Sequence, residues 1–196
     1  MRSVRIDLPA DRDLIRSLRV GDEAHLYGRI VTGRDAAHKL LVEQKPDHVR
    51  DILAGTFIYH CGPVIRKEPD GSYKVTAAGP TTSIREEPYQ AQVLADYGLA
   101  GAIGKGGMGE KTIKGLVATG SVYLHAVGGV ASLLAKRITR VVEVRLLEEL
   151  GAPEAFWVFE VQDFPALVTM DSTGASLHQQ VRDRSKANFD RILAGG

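Results

Sequence analysis

Apolar and polar residues alternate in some segments of this chain and recur every three to four positions in others. Alternation is typical of half-buried strands, and the longer period is typical of amphipathic helices. The pattern predicts strands over residues 4–8, 24–32, 56–61, 73–77, 99–103, 121–125, 141–146, 156–161 and 166–170. It predicts helices over residues 11–18, 35–44, 84–97, 108–119, 130–136 and 177–193. Asp11 is expected to cap the first helix.

The order of these elements predicts an α/β fold. The first third is rich in strands with long connections, and the middle alternates strand and helix at the spacing of parallel crossover units. A turn over residues 68–72 introduces the strand 73–77. Pro88 constrains where the helix 84–97 can start, because a proline is tolerated at best in the first turn. We therefore expect one three-layer domain over residues 1–196, with a mostly parallel sheet, helices and an additional β layer.

Composition and charge exclude several functional classes. Hydrophobic residues make up 44% of the chain and charged residues 25%, which is typical of a soluble globular protein. The formal net charge is +1 without a long basic run, so neither nucleic acid nor an anionic membrane is an expected partner. No apolar stretch approaches the length of a membrane span, and the first residues lack a signal-peptide core.

Cys61 is the only cysteine of the chain. It cannot form an intrachain disulfide, which fits a reducing cytoplasm. By itself it also cannot hold an iron–sulfur cluster or a structural zinc ion, so we expect no metal site in this chain. Cys61 is either a reactive thiol or, as we expect, a buried inert one. Trp157, Phe159 and Phe164 are expected in the core.

The segment Gly79-Pro80-Thr81-Thr82-Ser83-Ile84-Arg85 is the first candidate for a functional site. Hydroxyl groups and free N–H groups at the start of a helix can donate hydrogen bonds to an anion, and the helix dipole favours negative charge there. One helical turn later, the guanidinium of Arg85 would lie on the same side as these hydroxyl and N–H groups. The alternative is an ordinary helix cap, for which Thr and Ser are common.

Two further strand-to-helix junctions carry a cation. Residues 32–39 place Arg34 at a turn, followed by Asp35 as a good helix cap and His38 one turn later. Residues 104–109 place Lys105 in a glycine-rich loop. Three cations with several hydroxyl groups suggest a small polyanionic substrate such as a dicarboxylate.

The loop 104–109 also matches the GxGxxG fingerprint of dinucleotide-binding proteins, which leaves a nicotinamide oxidoreductase as an alternative. The fingerprint expects an acidic residue about 20 positions on, at the end of the next strand. Residues 123–126 contain no carboxylate. We therefore favour an anion-binding loop, in which Lys105 lies beside free N–H groups.

Several of these segments resemble one protein family. Residues 33–39, 79–85, 103–109, 123–138, 156–165 and 171–174 are similar in sequence and order to the β subunit, or C-terminal domain, of class I fumarases and the related L(+)-tartrate dehydratases. The resemblance implies a β/β/α swivelling domain and a hydro-lyase acting on a dicarboxylate. It also implies a 4Fe–4S cluster held by three cysteines of a partner α subunit, not by this chain, and assembly with that subunit as a heterotetramer.

The resemblance also implies roles for individual residues. Arg34, Thr82, Arg85 and Lys105 would bind the carboxylates of the substrate. Thr81 would contact the substrate near the reacting carbon and would be the candidate for proton transfer, together with a carboxylate of the partner.

The sequence leaves two points open: the identity of the substrate, and the effect of the two residues that follow Arg85. The family usually has Met after the arginine, whereas Glu86 and Glu87 follow it here and are expected to add negative charge beside the anion site. We expect reversible hydration of fumarate to malate. The alternatives are dehydration of L(+)-tartrate to oxaloacetate and a non-catalytic anion-binding module.

Overall fold

The computed structural model describes residues 2–194, which form nine strands, eight α-helices and two short 3₁₀-helices. The strands are β1 Ser3–Asp7, β2 Glu23–Thr32, β3 Phe57–Tyr59, β4 Val64–Lys67, β5 Tyr73–Ala77, β6 Gly101–Gly104, β7 Val122–His125, β8 Ile138–Arg145 and β9 Phe156–Met170. The α-helices are α1 Arg12–Ser17, α2 Asp35–Glu43, α3 Arg50–Leu53, α4 Gln90–Tyr97, α5 Glu110–Thr119, α6 Ala131–Ala135, α7 Leu147–Leu150 and α8 Leu177–Ala194. The 3₁₀-helices are Asp47–Val49 and Ser83–Glu86.

Seven strands form a mixed sheet in the order β1-β2-β3-β6-β7-β9-β8, so the expected α/β class is confirmed. The pairs from β1 to β7 along this order are parallel. Strand β9 is antiparallel to β7 and β8, and it also pairs with β2. This last pairing closes a ring through β2, β3, β6, β7 and β9. Strands β4 and β5 form a separate antiparallel ribbon.

The prediction of two strands over 156–161 and 166–170 is wrong, because β9 continues through residues 162–165. Asp163 adopts a left-handed backbone conformation with φ 53° inside this strand. Its carboxylate accepts a hydrogen bond from His25 at 2.7 Å and pairs with Arg137 at 2.9 Å. The partner strand β2 shifts its register between Leu26 and Gly28, so a bulge absorbs the irregularity.

The prediction of one helix over 84–97 is also wrong. Residues Ser83–Glu86 form a 3₁₀ turn, and α4 begins only at Gln90. Pro88 has no N–H for an intrahelical hydrogen bond, and a proline also disfavours the helical conformation of the residue before it. The interruption puts the turn 83–86, and not an α-helix, beside the candidate site.

Helix α1 begins as predicted, because the Asp11 carboxylate accepts a hydrogen bond from the Leu14 N–H at 2.9 Å. The short elements β4, α3 and α7 were not predicted, since segments of four residues carry almost no periodic signal.

Two apolar clusters cover the opposite faces of the sheet, because neighbouring residues of a strand point to opposite sides. Trp157, Phe159 and Phe164 lie buried in one cluster, as predicted, while Phe156 and Val158 lie in the other. The Trp157 indole N–H also donates to the Ala152 carbonyl at 2.8 Å. Within residues 2–194, no helix combines the length and the apolar character needed to cross a membrane.

Candidate functional site

The site lies where the parallel strands end. Strands β2, β3, β6 and β7 are neighbours in the sheet, so their carboxyl ends share one edge, where ligands of α/β proteins commonly bind. The residues that follow β2, β3 and β6 at this edge include Arg34, His60 and Lys105. Two of the three predicted cations therefore follow strands that end at the same edge.

The segment 79–85 lies directly beside the glycine-rich loop. Thr82 and Lys105 form an isolated parallel bridge. The Lys105 N–H donates to the Thr81 carbonyl at 3.2 Å, and the Ser83 N–H donates to the Lys105 carbonyl at 3.0 Å. The structure thus brings Thr81, Thr82 and Lys105 together, with Thr82 exposed and Lys105 half-buried.

The Thr81 hydroxyl is held by the strand end beneath it. Both the N–H and the hydroxyl of Thr81 donate to the His60 carbonyl, at 2.7 and 3.0 Å. The hydroxyl proton is therefore engaged, while the lone pairs of its oxygen remain free to accept a hydrogen bond.

Arg34 is held by packing on one side and by an acid on the other. Its Nε lies 3.5 Å from Glu154 Oε1, and this nitrogen is buried without a hydrogen-bond partner among the described residues. A Cβ atom on Gly62 would lie only 2.7 Å from Arg34 Nη1, so a larger residue at position 62 would displace the guanidinium. Arg34 therefore retains unused donor capacity in a constrained position.

Arg85 reaches α2 instead of pointing freely into solvent. Its side chain is 55% exposed, and one terminal nitrogen pairs with the Asp35 carboxylate. Asp35 is the first residue of α2 and makes no side-chain cap there, so its predicted capping role is wrong. Burial opposes ionisation of Asp35, but hydrogen bonds from Glu86 and Arg85 hold its pKa below the usual value.

Of the two acids after Arg85, Glu87 does not add free charge beside the site, which corrects that part of the expectation from the sequence. Glu87 caps α5: its carboxylate accepts from the N–H groups of Gly109, Lys111 and Thr112 at 2.8, 2.9 and 3.2 Å. The Thr112 hydroxyl also donates to it, at 2.6 Å. Glu86 is fully buried, and burial together with the neighbouring Asp35 raises its pKa to about 8.

The Glu87 cap also argues against the nicotinamide alternative. A pyrophosphate in a GxGxxG fold occupies the free N–H groups at the helix start. At the start of α5 these groups already donate to Glu87. The next strand, β7, ends at His125 and offers no carboxylate for a ribose.

A buried polar network that was not predicted lies beneath this edge. Gln90 Oε1 lies 3.1 Å from His38 Nε2 and 2.8 Å from His60 Nε2. The other nitrogen of His60 lies 2.7 Å from the Ser83 hydroxyl, which accepts from the Tyr123 hydroxyl at 2.8 Å. The His60 end of this network carries the carbonyl that holds Thr81.

The hydrogen-bond geometry assigns the protons of this network. His38 Nδ1 lies 2.9 Å from the Arg34 carbonyl, which can only accept, so a neutral His38 must accept at Nε2. Turning the Gln90 amide lets its two N–H groups donate to both histidines, and it gives the otherwise unpartnered amide nitrogen its partners. Neutral rings agree with burial, which lowers the pKa of both His38 and His60.

Some of these residues had a sequence signal and others had none. His60 lies near the end of the predicted strand 56–61, and Ser83 belongs to the predicted anion segment. Gln90 and Tyr123 lie inside regular elements and stand out only in three dimensions. His125, at the end of β7, was also missed; its Nδ1 is buried without a hydrogen-bond partner in the described part of the chain.

The residues of this chain do not fit an iron–sulfur cluster. Residues 2–194 contain no group of three or more His, Cys, Asp or Glu placed to hold a metal ion. Cys61 is fully buried, and burial raises the pKa of its thiol to about 12, which opposes formation of the thiolate that ligates iron. Cys61 is thus the inert thiol that was expected.

Comparison with known proteins gives one consistent set of relatives. A family model described as "Fumarase C-terminus" matches residues 1–181. The "Putative fumarate hydratase class I" of Geobacillus stearothermophilus is 49% identical over 185 residues, which are 94% of this chain and 35% of the relative. The chain therefore spans about a third of that protein's length.

Two shorter relatives match along most of their own length. The "Putative L(+)-tartrate dehydratase subunit beta" of Methanocaldococcus jannaschii is 39% identical over 182 residues, covering 91% of this chain and 93% of the relative. The "L(+)-tartrate dehydratase subunit beta" of Escherichia coli is 36% identical over 170 residues, covering 86% of this chain and 83% of the relative.

Proposed function

Because this chain belongs to the Fumarase C-terminus family, we propose that it is the β-type part of a hydro-lyase that adds water to a dicarboxylate and removes it again. Fumarate is the proposed substrate, with malate as the product, since the fumarate hydratase relative has the highest identity of the three described above. L(+)-tartrate, dehydrated to oxaloacetate, is the second candidate, because subunits named for that activity match over most of their length.

The observation that carries the proposal is the meeting of segment 79–85 with the loop 104–109 at the carboxyl edge of the sheet. The backbone bridge between Thr82 and Lys105 places a residue with a hydroxyl group beside a residue with a positive charge. Arg34 lies at the same edge, directly before helix α2. The Asp35 carboxylate, at the start of α2, pairs with Arg85. A dicarboxylate has two anionic ends, and charge-assisted hydrogen bonds from separate cations would hold both of them.

We assign the residue roles as part of this proposal. Arg34, Thr82, Arg85 and Lys105 bind the two carboxylates of the substrate. Thr81 lies against the reacting carbon and takes part in proton transfer with a carboxylate of the partner. Its hydroxyl is oriented by the His60 carbonyl, so its free lone pairs would face the substrate.

The proposal requires a second chain or domain. We propose that a cluster-bearing α subunit supplies the 4Fe–4S cluster, that the two subunits form a heterotetramer, and that the enzyme works in the cytoplasm. We also propose that residues 1–196 form a single swivelling domain of three β/β/α layers. The closed strand ring and the separate β4–β5 ribbon are compatible with an additional β layer.

The test is anaerobic hydration of fumarate and dehydration of L-tartrate, by this chain alone and by the chain reconstituted with a cluster-bearing α subunit. We expect turnover only in the mixture, and the preferred substrate decides between the two activities. A complex that forms with an intact cluster but turns over neither compound would favour the non-catalytic anion-binding module.

Substitution of Arg85 tests the proposed substrate-binding role directly in this assay. Arg85→Lys replaces a planar fork with a point charge and should lower kcat/KM by about 10- to 150-fold, the range for loss of about 1.5–3 kcal/mol in a charged hydrogen bond. Arg66→Lys is the matched control, because Arg66 lies on β4 and pairs with Glu68. An Arg85→Ala complex with the wild-type rate would exclude a substrate role for Arg85.

A further inference from the structure

Glu86 is a buried acid next to the arginine that we assign to the substrate. Its side chain has no exposure to solvent, and both carboxyl oxygens lack a hydrogen-bond partner other than an acid among the described residues. An ionised carboxylate in that position would carry a large desolvation penalty. The geometry therefore requires a compensating proton.

The neighbouring acid is Asp35, at the start of α2. One Asp35 oxygen, Oδ2, pairs with Arg85, while the other, Oδ1, is buried and otherwise unpartnered. The 3₁₀ turn that carries Glu86 packs against α2, its residue Arg85 pairs with Asp35, and the Glu86 and Asp35 carboxyl groups interact. Two carboxyl groups in contact cannot both be ionised without strong repulsion, and one proton between them would join Asp35 Oδ1 to one of the two Glu86 oxygens.

We propose that Glu86 is a neutral acid that donates its proton to Asp35, and that this shared proton sets how firmly Asp35 holds the Arg85 guanidinium away from an anionic ligand. Glu86 is thus a positioning residue, which acts on the ligand through Asp35 and Arg85. While the proton is present, the pair carries one negative charge against one positive charge, and the guanidinium keeps donors for a carboxylate. When the proton is lost, two negative charges face Arg85 and repel a dianionic ligand.

The other groups around this pair do not replace that proton. From α2, His38 faces Asp35, and burial lowers its pKa, so the ring is neutral at physiological pH. From β7, the Tyr123 hydroxyl faces Glu86 and stays protonated, because burial raises its pKa. Glu154 accepts from the Ala36 N–H at 3.0 Å beside Asp35 and pairs with Arg34. Arg85 is therefore the cation that directly opposes the pair.

The inference rests on the proposed function only for the identity of the anion, and its first test needs no substrate. We would follow the carboxyl carbons of glutamate and the guanidinium nitrogens of Arg85 by NMR in the full chain, in wild type and Glu86→Gln. We expect one glutamate carboxyl to titrate near pH 8, to vanish in the variant, and to share its midpoint with a shift of the Arg85 nitrogens. Titration of Glu86 in the ordinary range for glutamate, about pH 4.3, would overturn the inference.

The second test uses the complete complex. The KM for the dicarboxylate should rise about tenfold as the pH passes through the Glu86 titration, which corresponds to about 1.4 kcal/mol of lost binding free energy. It should stay flat in Glu86→Gln, whose amide still donates to Asp35 but cannot ionise. Glu148→Gln, an exposed position on α7, is the control and should follow wild type. An equal rise of KM in wild type and Glu86→Gln would refute the role of Glu86.

The two proposals fail separately. If the complex turns over neither dicarboxylate, the proposed function is wrong, and the NMR titration of Glu86 and Arg85 alone decides on the shared proton. If the complex is active but Arg85 does not respond to the Glu86 titration, the shared proton is wrong and the function stands.

Discussion

Glu87 should stabilise the fold by joining two parts of the candidate site. It lies two residues after Arg85, and its carboxylate accepts hydrogen bonds at the start of α5, which follows the loop that carries Lys105. The substitution Glu87→Gln keeps the size of the side chain but removes its charge and replaces one acceptor oxygen with a donor nitrogen. That nitrogen would face N–H groups that have lost their partner.

The magnitude follows from the contacts. About half of the four hydrogen bonds would be lost, and bonds to a charged group contribute about 1.5–3 kcal/mol each before water replaces part of them. The charge at the helix start contributes about 0.3–1 kcal/mol more. Because Glu87 is half-buried and water can reach it, we expect the free energy of unfolding to fall by about 2 kcal/mol. For a protein of this size that corresponds to a Tm lower by about 4–8 °C.

Thermal unfolding followed by circular dichroism measures this change. Glu110→Gln is the matched control, since Glu110 is an exposed acid in the first turn of the same helix. Hydrogen exchange should show faster exchange of the Lys111 and Thr112 amides in Glu87→Gln but not in Glu110→Gln. Equal Tm values for the two variants would refute the capping argument.

Three further predictions concern buried groups beneath the site. Cys61 should react with iodoacetamide only after unfolding, because a thiol pKa of about 12 leaves about one thiolate in ten thousand at pH 8; rapid labelling of the native chain would contradict this. Gln90→Leu should lower the free energy of unfolding in urea by about 2–5 kcal/mol, because it leaves two buried histidine nitrogens unpaired; a wild-type midpoint would contradict the network. Between pH 5 and pH 8 the folded state keeps the Glu86 proton that the unfolded chain releases, so stability should fall with rising pH by more in wild type than in Glu86→Gln; parallel pH profiles would contradict the raised pKa.

The sequence predicted those parts of the site that depend on local pattern. Periodicity located the strand ends, and parallel strands in sequence imply a common edge, which is why Thr82 and Lys105 could be expected near one another. Arg34 and Lys105 follow strands that end at this edge, whereas Arg85 lies in a 3₁₀ turn after the separate β4–β5 ribbon. The role of all three cations in binding a substrate stays a prediction. The family resemblance is confirmed by the match over residues 1–181.

What could not be predicted depends on pairs of side chains far apart in the chain. Asp35 and Arg85 are separated by 50 positions, and Glu87 and Gly109 by 22. A carboxylate near a helix start has the same local signal whether it caps its own helix, caps another helix or pairs with an arginine. The continuity of β9 is a similar case, because the pairs that hold Asp163 in a left-handed conformation come from β2 and from residue Arg137.

The exposure of the candidate site residues supports the proposal that a partner is required. Thr82 is exposed and the Arg85 side chain is 55% exposed, so both face water in this chain alone. Charged hydrogen bonds are weak in water and become strong only when the site is closed, because the effective dielectric constant falls. Thr81 is also a poor base without a second group that takes up a proton. If the proposed function holds, this chain supplies one preorganised surface, held by Asp35, Glu87 and the Gln90 network, and a second surface would have to close over it before these cations could discriminate a dicarboxylate.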